Sequence, residues 1–148
     1  DLKCAMRLAW KHEILRPRCL IIHVGSQQLV RESCRDVRDE MYSLFLYLKC
    51  FSVHINIVWS DILCRPQGRH LYDWNSESVE SLDRIRKDTN RYGRRLAFSL
   101  GGEVIKHSWC QNDSRWFKPD GLFLSLAGSR MFCADFMNFI TLRGVGGF

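Results

Sequence analysis

Three places in this chain put polar or glycine residues directly after an apolar run: Gly25-Ser26-Gln27-Gln28 after Cys19–Val24, Ser60-Asp61 after Val53–Trp59, and Pro119-Asp120-Gly121 further on. Hydroxyl, carboxamide and carboxylate groups at such breaks can hold a ligand or move a proton when the runs are strands whose ends converge. Two histidines belong with them. His23 lies inside the first run, where an imidazole is more often a hydrogen-bonded core group than a base, and His107 follows Val104-Ile105-Lys106, where either role is open. Plain structural roles stand beside these: Gly25 as a strand stop, Asp120 as a turn residue and Asp61 as the cap of the turn that follows it.

Seven cysteines, an odd number, are scattered through the chain, several inside apolar runs where a free thiol packs as a small hydrophobe. They fit a reducing, intracellular compartment, with the cytoplasm expected. There is no Cys-x-x-Cys pair, and His107 with Cys110 supplies two ligands where a structural zinc site needs four, so neither a metal nor a cofactor is expected. A catalytic Cys-His pair would meet in space rather than in sequence, and no cysteine is singled out for it.

The net charge is +6. Much of it falls on one segment. From Glu77 to Leu96, at 100° per residue, Val79, Leu82, Ile85, Thr89, Tyr92 and Leu96 share a face, and Arg84, Lys87, Arg91, Arg94 and Arg95 share the opposite one. The segment reads as an amphipathic helix with a basic outer face, either solvated or tracking the phosphates of a nucleic acid. Trp59, Trp74, Trp109 and Trp116 are not interleaved with those cations, as a stacking platform for single strands would require.

The elements that must position these groups follow from periodicity. Leu2–Leu15 has helical spacing and stops before Pro17. Cys19–Val24 is apolar on both sides, as a strand covered by helices must be. Val37, Met41, Leu44, Phe45 and Leu48 mark one face of a helix reaching about Cys50. The β-branched run Val53–Trp59 is the next strand, and Arg65–Asn75 a long surface loop. Gly101-Gly102 stops the basic helix ahead of a short strand centred on Val104-Ile105. Ser108–Pro119 is irregular, and a last helix runs from about Ser125, its cap, to Ile140. Residues 1–142 form one domain and 143–148, with three glycines from Arg143 on, a loose tail.

Helix and strand alternate throughout, which predicts an α/β fold: a parallel sheet with right-handed crossovers, helices on both faces, and ligands at the carboxyl ends of the strands. The 46% hydrophobic and 12% aromatic content of 148 residues argues for a packed core and against disorder. No stretch approaches the roughly 18 apolar residues of a membrane span, and Asp1-Leu2-Lys3-Cys4 opens on an amphipathic segment rather than a secretory signal. With no initiating Met, the chain is expected to be a piece of a longer reading frame.

IIHVGSQQL, VWSDIL, GGEVIKH and PDGLFLSLAGSRMF, in this order and spacing over residues 2 to 140, resemble the SGNH (GDSL-type) hydrolases, above all the esterase-like domains of vertebrate mobile-element-derived reading frames. The resemblance implies a three-layer α/β/α, flavodoxin-like fold. In that family a Gly-x-Asn-Asp block after the third strand supplies an oxyanion-hole Asn, a C-terminal Asp-x-x-His block supplies two members of a Ser-His-Asp triad, and a Gly-Asp-Ser block on the first strand carries the nucleophile.

Carried over by position, Gly25 matches the block's Gly and Gln27 takes the place of the oxyanion Asn, with one methylene too many for a donor that must sit about 2.7 to 3.1 Å from the developing charge. Gln28 replaces the block's Asp. Asp120 takes the triad Asp position and Phe123 the triad His position, where a phenyl ring can accept no proton. Leu124, Ser125, Gly128 and Phe132 continue the pattern. No Gly-Asp-Ser precedes Gly25, and residues 1–15 resemble the helix before the family's third strand, so the chain is expected to start after strands one and two, leaving Cys19–Val24 as an open apolar edge. The resulting expectation is an SGNH-type esterase-like domain without activity, whose ancestral substrate was a small ester. The alternative is a non-catalytic module whose basic helix binds nucleic acid or an acidic partner.

Overall fold

The computed structural model describes residues 18–26, 29, 33–51, 54–64, 79–111 and 113–143. Their elements alternate as the periodicity predicts: β1 (Cys19–Ile22), α1 (Cys34–Phe51), β2 (Asn56–Ser60), α2 (Val79–Ser99), β3 (Glu103–Ile105), a single 3₁₀ turn (Ser114–Trp116) and α3 (Leu126–Leu142). The sheet is parallel throughout, in the order β1-β2-β3, with Ile22 beside Trp59 and Trp59 beside Val104. The fold is therefore mixed α/β. The expected first helix, Gln27, Gln28 and residues 144–148 lie outside the described residues.

Boundaries moved where tertiary contacts outweigh local pattern. β1 ends at Ile22, so His23 and Val24 lie beyond the strand, whereas β2 extends through Ser60 because Ser60 pairs with Ile105. α2 runs on to Ser99, three residues past the expected end. It closes on the predicted glycines: Gly101 adopts φ +72°, its N–H bonds Phe98 O at 3.0 Å, and the Gly102 N–H bonds Ala97 O at 2.8 Å, the pattern of a Schellman stop. A side chain at Gly102 would put its Cβ 2.0 Å from Ile57 O, so the second glycine is set by close approach of backbone to β2. α3 has its predicted cap, with Ser125 Oγ accepting the Gly128 N–H at 3.1 Å.

α1 and α2 cover one face of the sheet. There Ile22, Ile57 and Trp59 meet Val37, Met41, Phe45 and Leu48 of α1 and Leu96 and Ala97 of α2, all buried in one cluster. The buried side of α2 is turned from the expected one. Thr89 and Leu96 are buried as predicted, but Asn90, Gly93 and Ala97 are buried beside them. Gly93 explains the turn: a Cβ there would stand 2.5 Å from the Trp59 ring, so the absent side chain lets helix and indole touch. Trp59 is fully buried, which removes it as a stacking surface.

Side chains alternate along a strand, so Ser60 looks away from this core. On that opposite face Asn56 Nδ2 donates to Glu103 Oε2 at 2.7 Å, and α3 brings the Phe132 ring against His23 and His107, at centroid distances of 5.0 and 4.9 Å.

Candidate functional site

Three elements meet beyond the carboxyl end of the sheet. Ser60 closes β2, His107 lies two residues past β3, and Asp135 is in the third turn of α3. Ser60 Oγ is 2.8 Å from His107 Nε2 and 2.9 Å from His23 Nδ1, and His107 Nδ1 is 2.6 Å from Asp135 Oδ2. A carboxylate only accepts, so His107 Nδ1 donates to Asp135, and in the tautomer that leaves Nε2 without a proton the Ser60 hydroxyl donates to Nε2. His23 Nδ1–H in turn donates to Ser60 Oγ. The result is one directed chain, His23 to Ser60 to His107 to Asp135. The Trp109 indole donates to the same Asp135 oxygen at 2.6 Å, and Phe132 and Phe136 pack at a tilt against the His107 ring.

Serine, imidazole and carboxylate stand in the order that activates a serine nucleophile. Two further conditions are not met. Ser60 has no exposed surface, so a carbonyl carbon cannot reach its Oγ in this conformation. The two amides that follow Ser60 are already spent: Asp61 N donates to Ile105 O at 3.0 Å and Ile62 N to Asn90 Oδ1 at 2.8 Å, leaving neither for an oxyanion.

Beside this chain, lined by His107 and Ser108, opens a cleft of about 560 Å³ between α2 and the loops that follow β2 and β3. Its walls are stitched down. Asn90 spends both ends of its amide on Ile62, accepting from its N–H and donating to its carbonyl at 3.0 Å, and Arg86 Nη1 adds a second bond to that carbonyl at 3.1 Å. The buried Cys64 and Cys110 join the two loops, with sulfurs 3.6 Å apart and each thiol directed at the other residue's carbonyl. Hydrogen bonding to Cys64, with burial second, pushes the Cys110 thiol far above its ordinary value, so it stays protonated and unreactive.

The expected basic face divides along this cleft. Arg94 turns inward and grips Asp61 with its Nε at 2.9 Å, and that bond, opposed by burial and reinforced by the carboxylate's charge, raises the guanidinium further. Asp61 is thus an ion-pair partner rather than a turn cap. Lys87 pairs with Asp83 at 2.7 Å and Arg91 with Asp88 at 3.2 Å. Lys87, Arg91 and Arg94 line the cleft, whereas Arg84 and Arg95 are exposed on the helix, do not line it, and have no ion-pair partner among the described residues.

Of the positions implied by the family resemblance, Gly25 is buried at φ +107°, and a Cβ there would sit 3.0 Å from Ile62 Cδ1. Asp120 is exposed and spends Oδ1 on the amides of Leu122 and Phe123 at 2.8 and 3.2 Å; those two bonds hold its carboxyl below the usual range. Phe123 is 64% exposed beside Lys118. The contacts of Asp120 thus stay within its own turn. The side chains of His107 and Cys110 bond to different partners, and among the described residues no group of three His, Cys, Asp or Glu side chains is arranged to hold a metal.

Asp135 and Lys106 were not singled out in the sequence. That it is the lone acid of its helix is the available signal for Asp135, and it does not say which imidazole it faces. No family model matches the chain, and no curated protein matches it. Among the described residues no helix is long and apolar enough to cross a membrane.

Proposed function

We propose that this chain is an SGNH-hydrolase-like esterase domain kept as a scaffold, without ester hydrolysis. The observation that carries the reading is the sealed Ser60, held between two imidazoles, with no exposed surface and with the adjoining amides committed elsewhere. The polar chain then serves to fasten α3 to the sheet. Asp120 is employed in its turn and Phe123 offers no base, which agrees with the loss of the family's triad at those positions. The reading aligns β1 with the family's third strand. The six cysteines among the described residues are all free thiols, which suits a reducing compartment.

The test is hydrolysis of a short-chain aryl acetate, together with labelling by a fluorophosphonate that reacts only with activated serines. Turnover at the buffer rate and no label at Ser60 are expected. Turnover that is abolished by Ser60→Ala or Asp120→Ala would overturn the reading.

A second reading, that the outer face of α2 binds nucleic acid or another acidic partner, is favoured by Arg84 and Arg95, exposed and without an ion-pair partner among the described residues. Affinity that falls steeply with salt and is lost on reversing both charges would support it.

A further inference from the structure

The basic cleft has a charge pattern that neither reading uses. Among the described residues Arg86, Lys87, Arg91, Arg94 and Lys106 line it against two carboxylates, Asp61 and Asp83, an excess of three positive charges. Both carboxylates are engaged with cleft cations, Asp61 with Arg94 and Asp83 with Arg86 and Lys87. Lys106 is exposed and has no ion-pair partner among the described residues, and the Arg91 pair with Asp88 is an exposed i,i+3 contact that contributes little. Two cations from two elements, one on α2 and one just past β3, are therefore left to face a ligand. The surface between them is held in place by the Asn90 and Cys64–Cys110 bonds, so little ordering is needed on binding.

We infer that this cleft binds a small phosphomonoester, its phosphate bridging Arg91 and Lys106 and its organic part lying toward Ser108. A phosphomonoester carries about −1.5 to −2 charges at neutral pH and so offsets more of the excess than a single carboxylate does. The planar guanidinium of Arg91 can take two of its oxygens and the lysine a third. Size points the same way, because about 560 Å³ falls within the roughly 300 to 1,000 Å³ of small-ligand sites. Among the described residues the one ring in the lining is His107, already held by Ser60 and Asp135, so these walls offer no platform for stacked bases and suit a sugar phosphate better than a polynucleotide.

This inference goes beyond the scaffold reading, and the two fail separately, since binding is measured without hydrolysis. The experiment titrates the whole chain with ribose monophosphate, with ribose and a single-stranded oligonucleotide as the other probes, read by calorimetry and by amide shifts. Saturable one-to-one binding of the phosphate and none of ribose are expected, with shifts at Lys106 to Ser108 and Asn90 to Arg94. Arg91→Glu and Lys106→Glu, both at exposed side chains, should each weaken it about tenfold or more, as loss of one charged hydrogen bond implies. The Arg84→Glu, Arg95→Glu double variant, outside the cleft, should bind as the wild type does. No saturable binding at millimolar ribose monophosphate, binding unaffected by both cleft variants, or oligonucleotide binding that depends on Arg84 and Arg95 instead would each overturn it.

Discussion

Trp59 and Ser60 are neighbours in β2 and look into opposite halves of the molecule. On the Trp59 side, contact is made by volume: aliphatic side chains of β1 and β2 fill the space under α1 and α2, and a glycine on α2 makes room for the indole. On the Ser60 side it is made largely by hydrogen bonds, from Asn56 to Glu103 at one end of the strand and from His23 through Ser60 and His107 to Asp135 at the other. A packed apolar face tolerates exchange among shapes of similar volume, whereas a directed chain of donors and acceptors admits almost no substitute, because each lost partner leaves a buried group unpaired. The hydrophobic effect holds the first two helices down, and α3, which is capped but exposes Leu126, Met137 and Leu142, depends on a carboxylate and two phenylalanines for its place.

The contrast can be broken most forcefully from the apolar side. Phe45 is fully buried with its ring centroid 6.3 Å from that of Trp59, and Phe45→Ala should cost about 3 to 5 kcal/mol in denaturant unfolding. Conversion to Leu, which retains most of the volume, should recover the larger part. Next comes Asp135→Ala, expected to cost about 1 to 3 kcal/mol by stranding His107 Nδ1 and the Trp109 indole. Its amide protection should fall in α3 first while α1 and α2 keep theirs, and uniform loss across all three helices would mean the two faces are not separately held.

Smaller effects sharpen the distinction. Thr89 is buried against the apolar face with no partner for its hydroxyl among the described residues, so Thr89→Val should leave stability unchanged or raise it by about 1 kcal/mol. Deleting the hydroxyl of Ser60, which bonds two imidazoles, by Ser60→Ala should instead destabilise. The least effect is expected at the cleft wall. Burial alone would raise the Asp83 carboxyl, but hydrogen bonds from Lys87 and Arg86, with their charges, hold it below the ordinary value. A depressed carboxylate pKa adds stability that is fully present above the unfolded value of about 3.9 and is lost as pH falls through the lower folded value. Asp83→Asn should therefore remove a small part of the acid limb of Tm against pH below about 4 and leave its neutral limb flat.

Much of this was legible in the chain. Alternating helical and apolar runs predicted the strand and helix order, the double glycine predicted the end of α2, and Ser125 predicted the start of α3, because each is set by contacts within a few residues. The buried side of α2 was only half legible, since the positions that matter there, Asn90 and Gly93, carry no hydrophobic signal. One bonds the loop after β2 and the other is defined by the absence of a side chain beneath Trp59.

The sequence by itself determined the α/β class, the parallel strands, and that Ser60 and His107 would fall at the same edge, because strand period and strand ends are local properties. Only the tertiary structure decided that Asp135, 28 residues beyond His107, would be the carboxylate that orients it, and that Arg94 would leave the outer face for Asp61. Charges choose partners by distance in space. That distance is set by how α2 and α3 lie against the sheet, which is settled by Gly93, Phe132 and Phe136 through shape and not by any pattern along the chain.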